Sequence, residues 1–278
     1  MRFIVVRRTF SEGDCFPLYL WGDWHRLNAN CDKGSLIRDR NTIAADPLAM
    51  YVHMGDGFDA ILHRDKRYDP ETVDWSLVEK RDMGRLGEAA IRDRVQFEEP
   101  VIDKCVAALL GNHEHTIDDI FDEDLNFHSV RETLRRMGRE DLYCPAHAYI
   151  RFIFTDHNRH ATHVDAQVHH GRRIARYKST LLNQLLIKLR YWPSVRIMAR
   201  GHCHYADASY ESRVTANDNC TRLKEERAYA VLSGGYLKTY LEDGHCYAED
   251  YDLDPIDIGF QKLLLRPSRD GCKVEAVI

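Results

Sequence analysis

The sequence predicts an α/β fold, a mixed sandwich of β-sheet and helices. Apolar segments with strand character alternate with helical segments early in the chain, and the last part is rich in β segments. Several apolar runs also stop at a glycine beside ligand-type side chains, as residues 106–110 do before Gly111, Asn112, His113 and Glu114. Ligands bind at the carboxyl ends of strands in α/β folds, so we expect these strand ends to carry the function.

The N-terminal half is predicted to contain strands and helices in alternation. Short apolar runs give the strands, which are expected near residues 2–8, 16–22, 48–54 and 104–110. The helices are expected near residues 35–45, 84–98 and 127–137, the first of them ending before Pro47. Residues 60–103 lack strand character, and this segment is predicted to be a helical insertion.

The C-terminal half is predicted to be mainly β-structure around one helix. Leu181, Leu185 and Leu189 recur at helical spacing and predict a helix that faces the core. The strands are expected near residues 147–155, 161–168, 195–200, 226–233, 258–265 and 273–278. The sequence has no composition shift or linker, so residues 1–278 are predicted to form a single domain.

Composition argues against several classes of protein. With 44% apolar and 30% charged residues, the chain resembles a globular protein, and it has no run of about 18 apolar residues that could span a membrane. A net charge of −5 argues against a surface covered with nucleic acid but is compatible with a local basic groove. The eight cysteines form no Cys-x-x-Cys pair and no export signal is visible, so free thiols in a cytoplasmic protein are expected.

Further strand ends carry Asp or His beside glycine. They are Gly22-Asp23-Trp24-His25, Gly55-Asp56-Gly57-Phe58-Asp59, His169-His170-Gly171 and Gly201-His202-Cys203-His204. Asp, His and Asn supply oxygen and nitrogen ligands, and a cluster of them without thiolate suits divalent Mn, Fe or Zn. On an extended backbone, the i, i+2 spacing of Asp23 and His25 would place both side chains on one face, and the same holds for His202 and His204. Asp-x-His alone is typical of chance and Gly-Asp-x-x-Asp alone is typical of a turn, whereas Gly-His-x-His is a stronger indication of a metal site. Together the motifs predict a metal site.

In their order along the chain, these motifs resemble those of the calcineurin-like metallophosphoesterase superfamily, which includes double-strand-break repair nucleases. The resemblance extends from Asp23 to His204, about two thirds of the chain. It implies a four-layer sandwich of two mixed β-sheets flanked by helices. It also implies a centre of two divalent metal ions, with Mn favoured over Fe and Zn.

The resemblance further implies which side chains bind the two ions. The ligands of the first would be Asp23, His25, Asp56 and His204. The ligands of the second would be Asp56, Asn112, His202 and one histidine of the pair His169-His170. We prefer His170 because it directly precedes Gly171, as in the family's motif, and His169 is the alternative. Asp56 would bridge both ions.

The resemblance also implies roles in catalysis for residues that are not ligands. His113 would face the substrate phosphate, where it stabilises the transition state or protonates the leaving group. Glu114 could orient His113, and Asp59 would lie just outside the ligands. The implied reaction is two-metal hydrolysis, in which a hydroxide that bridges the ions attacks phosphorus.

Basic residues that follow Gly171 are candidates for binding the substrate. They are Arg172, Arg173, Arg176 and Lys178. Arginine matches phosphate oxygens with two hydrogen bonds, so the cluster is compatible with a clamp for a nucleotide or a nucleic-acid backbone. A solvated, cationic start of a helix is the alternative interpretation.

Three functions are compatible with these patterns. The leading one is a metal-dependent phosphodiesterase that acts on nucleic acid (DNA or RNA) or nucleotides. The second is a phosphomonoesterase that acts on nucleotides or phosphoproteins. The third is a non-catalytic binding module on the same fold, and the retention of Asn112, His113, His202 and His204 argues against it. The sequence leaves the oligomeric state open and predicts no membrane partner.

Overall fold

In the computed structural model of the protein, the described residues form a mixed β-sheet of twelve strands. The structure describes residues 1–59, 69–82, 84–116, 118, 128–171, 175, 177–216, 220–240, 255–256 and 258–277. The strands are β1 (Arg2–Thr9), β2 (Phe16–Trp21), β3 (Met50–His53), β4 (Cys105–Leu109), β5 (Tyr143–Cys144), β6 (His147–Thr155), β7 (Ala161–His169), β8 (Val195–Arg200), β9 (Ala206–Ala216), β10 (Leu223–Gly235), β11 (Gly259–Ser268) and β12 (Gly271–Val277). The helices are α1 (Lys33–Ala45), α2 (Leu86–Glu98), α3 (residues 112–116), α4 (Ser129–Arg136) and α5 (Lys178–Leu189).

The order of the strands divides the sheet into two halves. One half runs β1-β6-β7-β8-β10 and the other runs β11-β2-β3-β4-β5, with β9 paired to β10 and β12 paired to β11. Strands β2 to β5 are parallel to one another, and so are β7, β8 and β10. Within the described strands, the halves are joined where Gly234 and Gly235 of β10 pair with Phe260 and Gly259 of β11.

The two halves share one hydrophobic core. It contains buried side chains of β2 and β3, such as Leu18 and Val52, together with Ile150 and Phe152 of β6 and Val168 of β7. Burial alternates along β6, where every second residue is buried, as expected for a strand with one face on the core. Side chains from both halves are therefore packed into the same core.

Helices cover the opposite faces of the strands. Leu36 and Ile43 of α1, Phe97 of α2 and Leu134 of α4 pack with Trp21 of β2 in a second cluster. In a third cluster, leucines of α5 pack with residues of β8 and β10. Strand β2 is accordingly buried on both faces along its whole length.

The structure confirms the predicted α/β class, with a large mixed sheet and several helices. The predicted strands and helices are present, with ends that differ by a few residues. Helix α1 begins where the Asp32 side chain accepts a hydrogen bond from the N–H of Ser35, and it ends before Pro47. The predicted pair of strands after residue 146 is the antiparallel pair β6 and β7.

Strand β9 is the main element that the sequence pattern does not predict. It pairs with β10 along eleven residues, yet none of its residues is buried. Its sequence contains no apolar run, because polar residues such as Ser209 and Glu211 alternate with small or aromatic ones. Backbone hydrogen bonds to β10, rather than burial of side chains, define this strand, and periodicity does not reveal that kind of pairing.

The described parts of segment 60–103 contain no strand. They contain the predicted helix, found as α2, and short 3₁₀ helices at Pro70–Thr72, Trp75–Leu77, Lys80–Asp82 and Glu99–Lys104. One more 3₁₀ helix, Glu140–Leu142, precedes β5. Among the helices of the described residues, none combines the length and the apolar composition that crossing a bilayer requires.

Candidate metal centre

Side chains that follow five strands converge at one edge of the sheet. Because β2, β3 and β4 are parallel, and β7 and β8 are parallel, the carboxyl ends within each set lie together. The converging residues are Asp23 and His25 after β2, Asp56 after β3, Asn112 after β4, His170 after β7, and His202 and His204 after β8. The side chains predicted to bind metal are therefore neighbours.

Asp23, His25 and His204 form a first group of metal-ligand side chains. Their ligand atoms all lie within 4.8 Å of one another. Nε2 of His204 is 3.7 Å from Oδ1 of Asp23, and the rings of His204 and His25 stack at 4.9 Å. Asp23 and His25 are buried. This group could hold a divalent cation.

Asp56, His170 and His202 form a second group. Their ligand atoms also lie within 4.8 Å of one another. Nε2 of His170 lies 3.1 Å from Oδ2 of Asp56 and 2.9 Å from Oδ1 of Asn112. The amide oxygen of Asn112 thus adds a further donor atom to a group that could hold a divalent cation.

One oxygen of Asp56 lies between the two groups. Its Oδ2 is 3.9 Å from Nε2 of His25 in the first group. In the second group, it is 3.1 Å from Nε2 of His170 and 3.9 Å from Nδ1 of His202. Oδ1 of Asp56 accepts a hydrogen bond of 3.0 Å from the backbone N–H of His113. The carboxylate is therefore fixed through Oδ1 and presents Oδ2 to both groups.

The structure separates the two adjacent histidines at the end of β7. His170 donates from Nδ1 to the backbone oxygen of Met54 at 2.8 Å, which turns Nε2 towards Asp56. His169 is the last residue of β7, and its ring lies beside that of His147 at 5.0 Å. Because successive side chains at a strand point to opposite faces, His170 lies in the second group and His169 does not.

The backbone at the ligands differs from the extended conformation expected from the i, i+2 spacing. The φ angle is +50° at Asp23, +48° at His25, +50° at Asp56, +66° at His202 and +57° at His204. Left-handed φ angles are rare for residues other than glycine and cost of the order of 1–3 kcal/mol each. The expected extended backbone is therefore wrong. The strands have ended at these residues, and the turning chain brings alternate side chains to the same point.

Glu114 fixes the backbone around the second group. Its buried carboxylate accepts hydrogen bonds from the N–H groups of Asp56 at 3.0 Å, Gly57 at 2.6 Å and Gly111 at 3.0 Å. A Cβ atom at Gly111 would lie 2.1 Å from Oδ1 of Asp56, so only glycine fits between these carboxylates. Arg94 of α2 lies 3.6 Å from Glu114 and compensates its charge. Glu114 therefore supports the loops that carry Asp56 and Asn112.

His113 lies beside the first group of ligands. Its Nδ1 forms a hydrogen bond of 2.6 Å with Oδ1 of Asp59, and its ring meets that of His25 edge to face at 4.7 Å. Asn28 donates to the other oxygen of Asp59 at 2.7 Å. Glu114 is the carboxylate predicted to orient His113, but it accepts hydrogen bonds from backbone N–H groups, and the carboxylate bonded to His113 is that of Asp59.

Within the part of the chain that the structure describes, several buried polar atoms at the site have no hydrogen-bond partner. They are both ring nitrogens of His25, Oδ2 of Asp56 and Nδ1 of His202. A buried polar atom without a partner costs about 1–3 kcal/mol. Divalent cations could bind one ring nitrogen of His25, Oδ2 of Asp56 and Nδ1 of His202. Cys203, between two of the ligands, is buried in the cluster formed with α5 and adds no thiolate.

Burial and neighbouring charges shift the pKa values of the ligand groups. Burial raises the pKa of Asp23 to about 7, and the charge of Asp56 adds to the shift. Burial lowers the pKa of His25 to about 4 and that of His204 well below its ordinary value. Burial would also lower the pKa of His170, but the Asp56 carboxylate outweighs it and raises that pKa to about 9. Asp56 therefore attracts positive charge, which a proton on His170 or a metal ion can supply.

The predicted substrate-binding arginines cannot be placed by this geometry. Arg172, Arg173 and Arg176 lie outside the described residues. Lys178 is the first residue of α5 and forms an ion pair of 2.9 Å with Asp207. For Lys178, this position fits the alternative interpretation, a solvated start of a helix.

Arg94 supports the site and is not predicted as a functional residue. It is fully buried in α2, where it pairs with Glu98 at 2.9 Å in addition to Glu114. Arg94 shares a helix face with Ala90 and Phe97, which are also buried. A charged residue on an apolar helix face was the signal in the sequence, because such a charge requires a buried partner.

Two other supporting contacts come from His53 and Ser233. Nδ1 of His53 accepts a hydrogen bond of 3.1 Å from the N–H of Gly55, next to Asp56. Burial lowers the pKa of His53 well below its ordinary value, so its ring is neutral at pH 7. The hydroxyl of Ser233 in β10 donates to Oδ2 of Asp23 at 3.4 Å. No local pattern in the sequence indicates either contact.

Replacing Glu114 with alanine is expected to lower the free energy of unfolding by about 3–5 kcal/mol, as found when one partner of a buried ion pair is removed. The change would leave three backbone N–H groups without their acceptor and Arg94 without one of its carboxylates. Chemical denaturation of the metal-free protein measures this change. Glu88→Ala is the matched control, because Glu88 forms an exposed ion pair with Arg136 and its loss should cost less than about 1 kcal/mol. Equal stability of the two variants would contradict the role of Glu114.

Comparison with protein-family models and with curated proteins gives no match for this sequence.

Proposed function

We propose that the protein is a phosphoester hydrolase that uses two divalent metal ions and belongs to the calcineurin-like metallophosphoesterase superfamily. The position of Asp56 carries this proposal, because one of its oxygens faces both groups of ligands. A carboxylate between two sets of nitrogen and oxygen donors suits a pair of ions that share one ligand. The order of the ligand motifs along the chain supports the same assignment.

We interpret the halves of the sheet as the two sheets of a four-layer sandwich. Two observations support this interpretation. The halves share one core and are joined through two residue pairs of β10 and β11. Helices α1, α2 and α4 pack on one half, and α5 packs on the other. The proposed ligands follow strands of both halves, so the metal centre would lie where the two sheets meet.

The ligand side chains divide between the two ions as the resemblance implies. One ion would be held by Asp23, His25, Asp56 and His204, and the other by Asp56, Asn112, His170 and His202. The absence of thiolate from both sets favours Mn, with Fe and Zn as alternatives. When bound, the ions would neutralise charge on the phosphate oxygens and lower the pKa of a water molecule.

His113 is the side chain that we assign to the substrate rather than to a metal ion. Asp59 accepts the Nδ1 proton of His113, which fixes the orientation of the ring. Nε2 of His113 would then stabilise the phosphate oxygens or give a proton to the leaving group. Asn28 in turn fixes Asp59, so three side chains determine the position of this acid.

Phosphodiester bonds of nucleic acid or nucleotides are the proposed substrates. The arginine-rich sequence after Gly171 supports a polyanionic substrate. The test compares Mn-loaded protein on bis-p-nitrophenyl phosphate and single-stranded DNA with its action on p-nitrophenyl phosphate. We expect hydrolysis of the diesters. Hydrolysis of the monoester alone would indicate a phosphomonoesterase, and no hydrolysis at normal metal content would indicate a binding module.

Metal affinity is expected to fall as the pH falls from about 9 to 6. Protons compete with metal ions for His170 below its pKa of about 9 and for Asp23 below its pKa of about 7. For each ligand that must lose a proton, the dissociation constant for Mn²⁺ should rise about tenfold per pH unit below the pKa of that ligand. Titration of the metal-free protein with Mn²⁺ at several pH values measures this dependence. A dissociation constant that does not change with pH would contradict the assignment of these two ligands.

A further inference from the structure

A cavity lies directly beside the proposed metal centre. Its volume is about 460 Å³, within the range of about 300–1,000 Å³ that is typical of sites for small molecules. Asn112 and His170, two of the proposed metal ligands, form part of its wall. A molecule held at the metal centre could therefore extend into this cavity. Its exposed rim includes Pro145 and Lys188, so the cavity opens to solvent.

Basic side chains from five structural elements line this cavity, in addition to His170. They are His115 of α3, His147 of β6, His169 of β7, Lys188 of α5 and Arg200 of β8. Within the described part of the chain, no Asp or Glu lines the cavity. Among the described residues, neither Arg200 nor Lys188 forms an ion pair with a carboxylate. The cavity therefore has an uncompensated positive charge, which favours an anionic ligand.

Two of these side chains are buried without a hydrogen-bond partner. Arg200 and His169 are each 7% exposed, and within the described structure Nε of Arg200 and Nε2 of His169 have no hydrogen-bond partner. Buried donors without acceptors are rare in folded proteins, since each costs about 1–3 kcal/mol. Arg200 lies against Gly171, where a Cβ atom would come within 2.8 Å of its Nε. An anion in the cavity would provide acceptors for these donors.

We propose that this cavity binds a second phosphoryl group of the substrate, adjacent to the phosphoester at the metal centre; this inference rests on the proposed function. A phosphoryl group carries up to two negative charges, which match the charges of Arg200 and Lys188. Its oxygens also accept several hydrogen bonds, as His147, His169 and Arg200 require. The preferred substrate is therefore an ester that bears a neighbouring phosphate.

The first test measures binding without catalysis. The Asp56→Asn variant is stripped of metal, freed of chelator and titrated with inorganic pyrophosphate in a calorimeter. We expect binding, and we expect Lys188→Gln or Arg200→Gln in this background to weaken it by roughly tenfold, the effect of one charge-assisted hydrogen bond. Arg190→Gln is the matched control, because Arg190 carries the same charge next to α5 but pairs with Glu211 outside the cavity. Because Lys188 is exposed, Lys188→Gln should fold, and the test can be carried out with this variant even if Arg200→Gln does not fold.

The second test measures substrate preference. The p-nitrophenyl ester of thymidine 5′-phosphate is compared with the same ester carrying a 3′-phosphate, using Mn-loaded protein. We expect kcat/KM to be roughly tenfold or more higher for the substrate with the 3′-phosphate. Lys188→Gln should bring this ratio close to one, whereas Arg190→Gln should preserve it.

The outcomes separate this inference from the proposed function. Hydrolysis of both esters at equal rates, or a ratio unchanged by Lys188→Gln, would overturn the substrate subsite and leave the hydrolase proposal intact. If the cavity binds pyrophosphate but kcat/KM is the same with and without the 3′-phosphate, the cavity is a site for free anions. That result would also overturn the substrate subsite. Failure to hydrolyse either ester would overturn the proposed function, and the calorimetric titration would then decide whether the cavity binds a phosphoryl group.

Discussion

Replacing Asp56 with asparagine is expected to abolish phosphodiester hydrolysis and to remove most of the bound metal. Oδ2 of Asp56 faces His25 of the first group and both His170 and His202 of the second, so the change affects both proposed ion sites. An amide has no formal charge and binds divalent ions more weakly than a carboxylate. We expect kcat to fall by at least about 10³-fold, the effect of losing several kcal/mol of charge stabilisation. Steady-state kinetics and elemental analysis after desalting measure both quantities.

The Asp56→Asn experiment has a matched control in Asp103→Asn. Asp103 has the same side chain, but that side chain is 98% exposed and pairs with Arg139 rather than with a residue of the site. This control should retain full activity and metal content. Turnover of Asp56→Asn equal to that of the control would contradict the bridging role of Asp56.

Replacing His113 with alanine is expected to leave both metal ions bound and to lower kcat by about 10²–10⁴-fold, the range typical of a lost general acid. Nδ1 of the His113 side chain is hydrogen-bonded to Asp59, and the ring of His113 touches that of His25. We therefore expect the variant to lose most of its activity but to retain its metal ions. Kinetics and elemental analysis of the same preparation measure them together.

The control for His113→Ala is His163→Ala, an exposed histidine of β7 that should be replaceable without effect. Imidazole added to the His113→Ala variant should restore part of the activity, because it can occupy the space of the missing ring. A variant that has lost its metal would show that His113 is a ligand and that its assigned role is wrong.

The positions of the proposed ligands follow from local sequence. Asp23, Asp56, Asn112, His170 and His202 are each adjacent to a glycine at the end of a strand. Such a position depends on the backbone of one segment and on the parallel arrangement of the strands. Both can be predicted from apolar runs that end at a glycine. The preference for His170 over His169 depends on its position before Gly171, and in the structure the two side chains point to opposite faces at the end of β7.

The side chains that support the ligands are not predictable in the same way. Glu114 binds backbone N–H groups from three positions, Asp56, Gly57 and Gly111, and its charge is compensated by Arg94 of α2. These contacts join segments that are distant in sequence. No periodicity in the sequence indicates them, and the neighbouring His113 is hydrogen-bonded to Asp59.

The left-handed backbone at the proposed ligands is a second feature that the sequence does not predict. Spacing alone indicates that Asp23 and His25 share a pocket, but it does not distinguish an extended strand from a turn. The structure forms a turn at both, with φ near +50°. Strand β9 is not predicted from the sequence either, because its pairing with β10 depends on backbone hydrogen bonds and not on the burial of side chains.

Anomalous diffraction from crystals soaked in Mn²⁺ tests the central claim most directly. The proposal of a bridging Asp56 predicts two manganese peaks less than about 4 Å apart, one on each side of its carboxylate. The first peak should contact His25 and His204, and the second should contact His170 and His202. A single peak, two peaks that do not share Asp56, or no peak at saturating Mn²⁺ would contradict the two-metal centre.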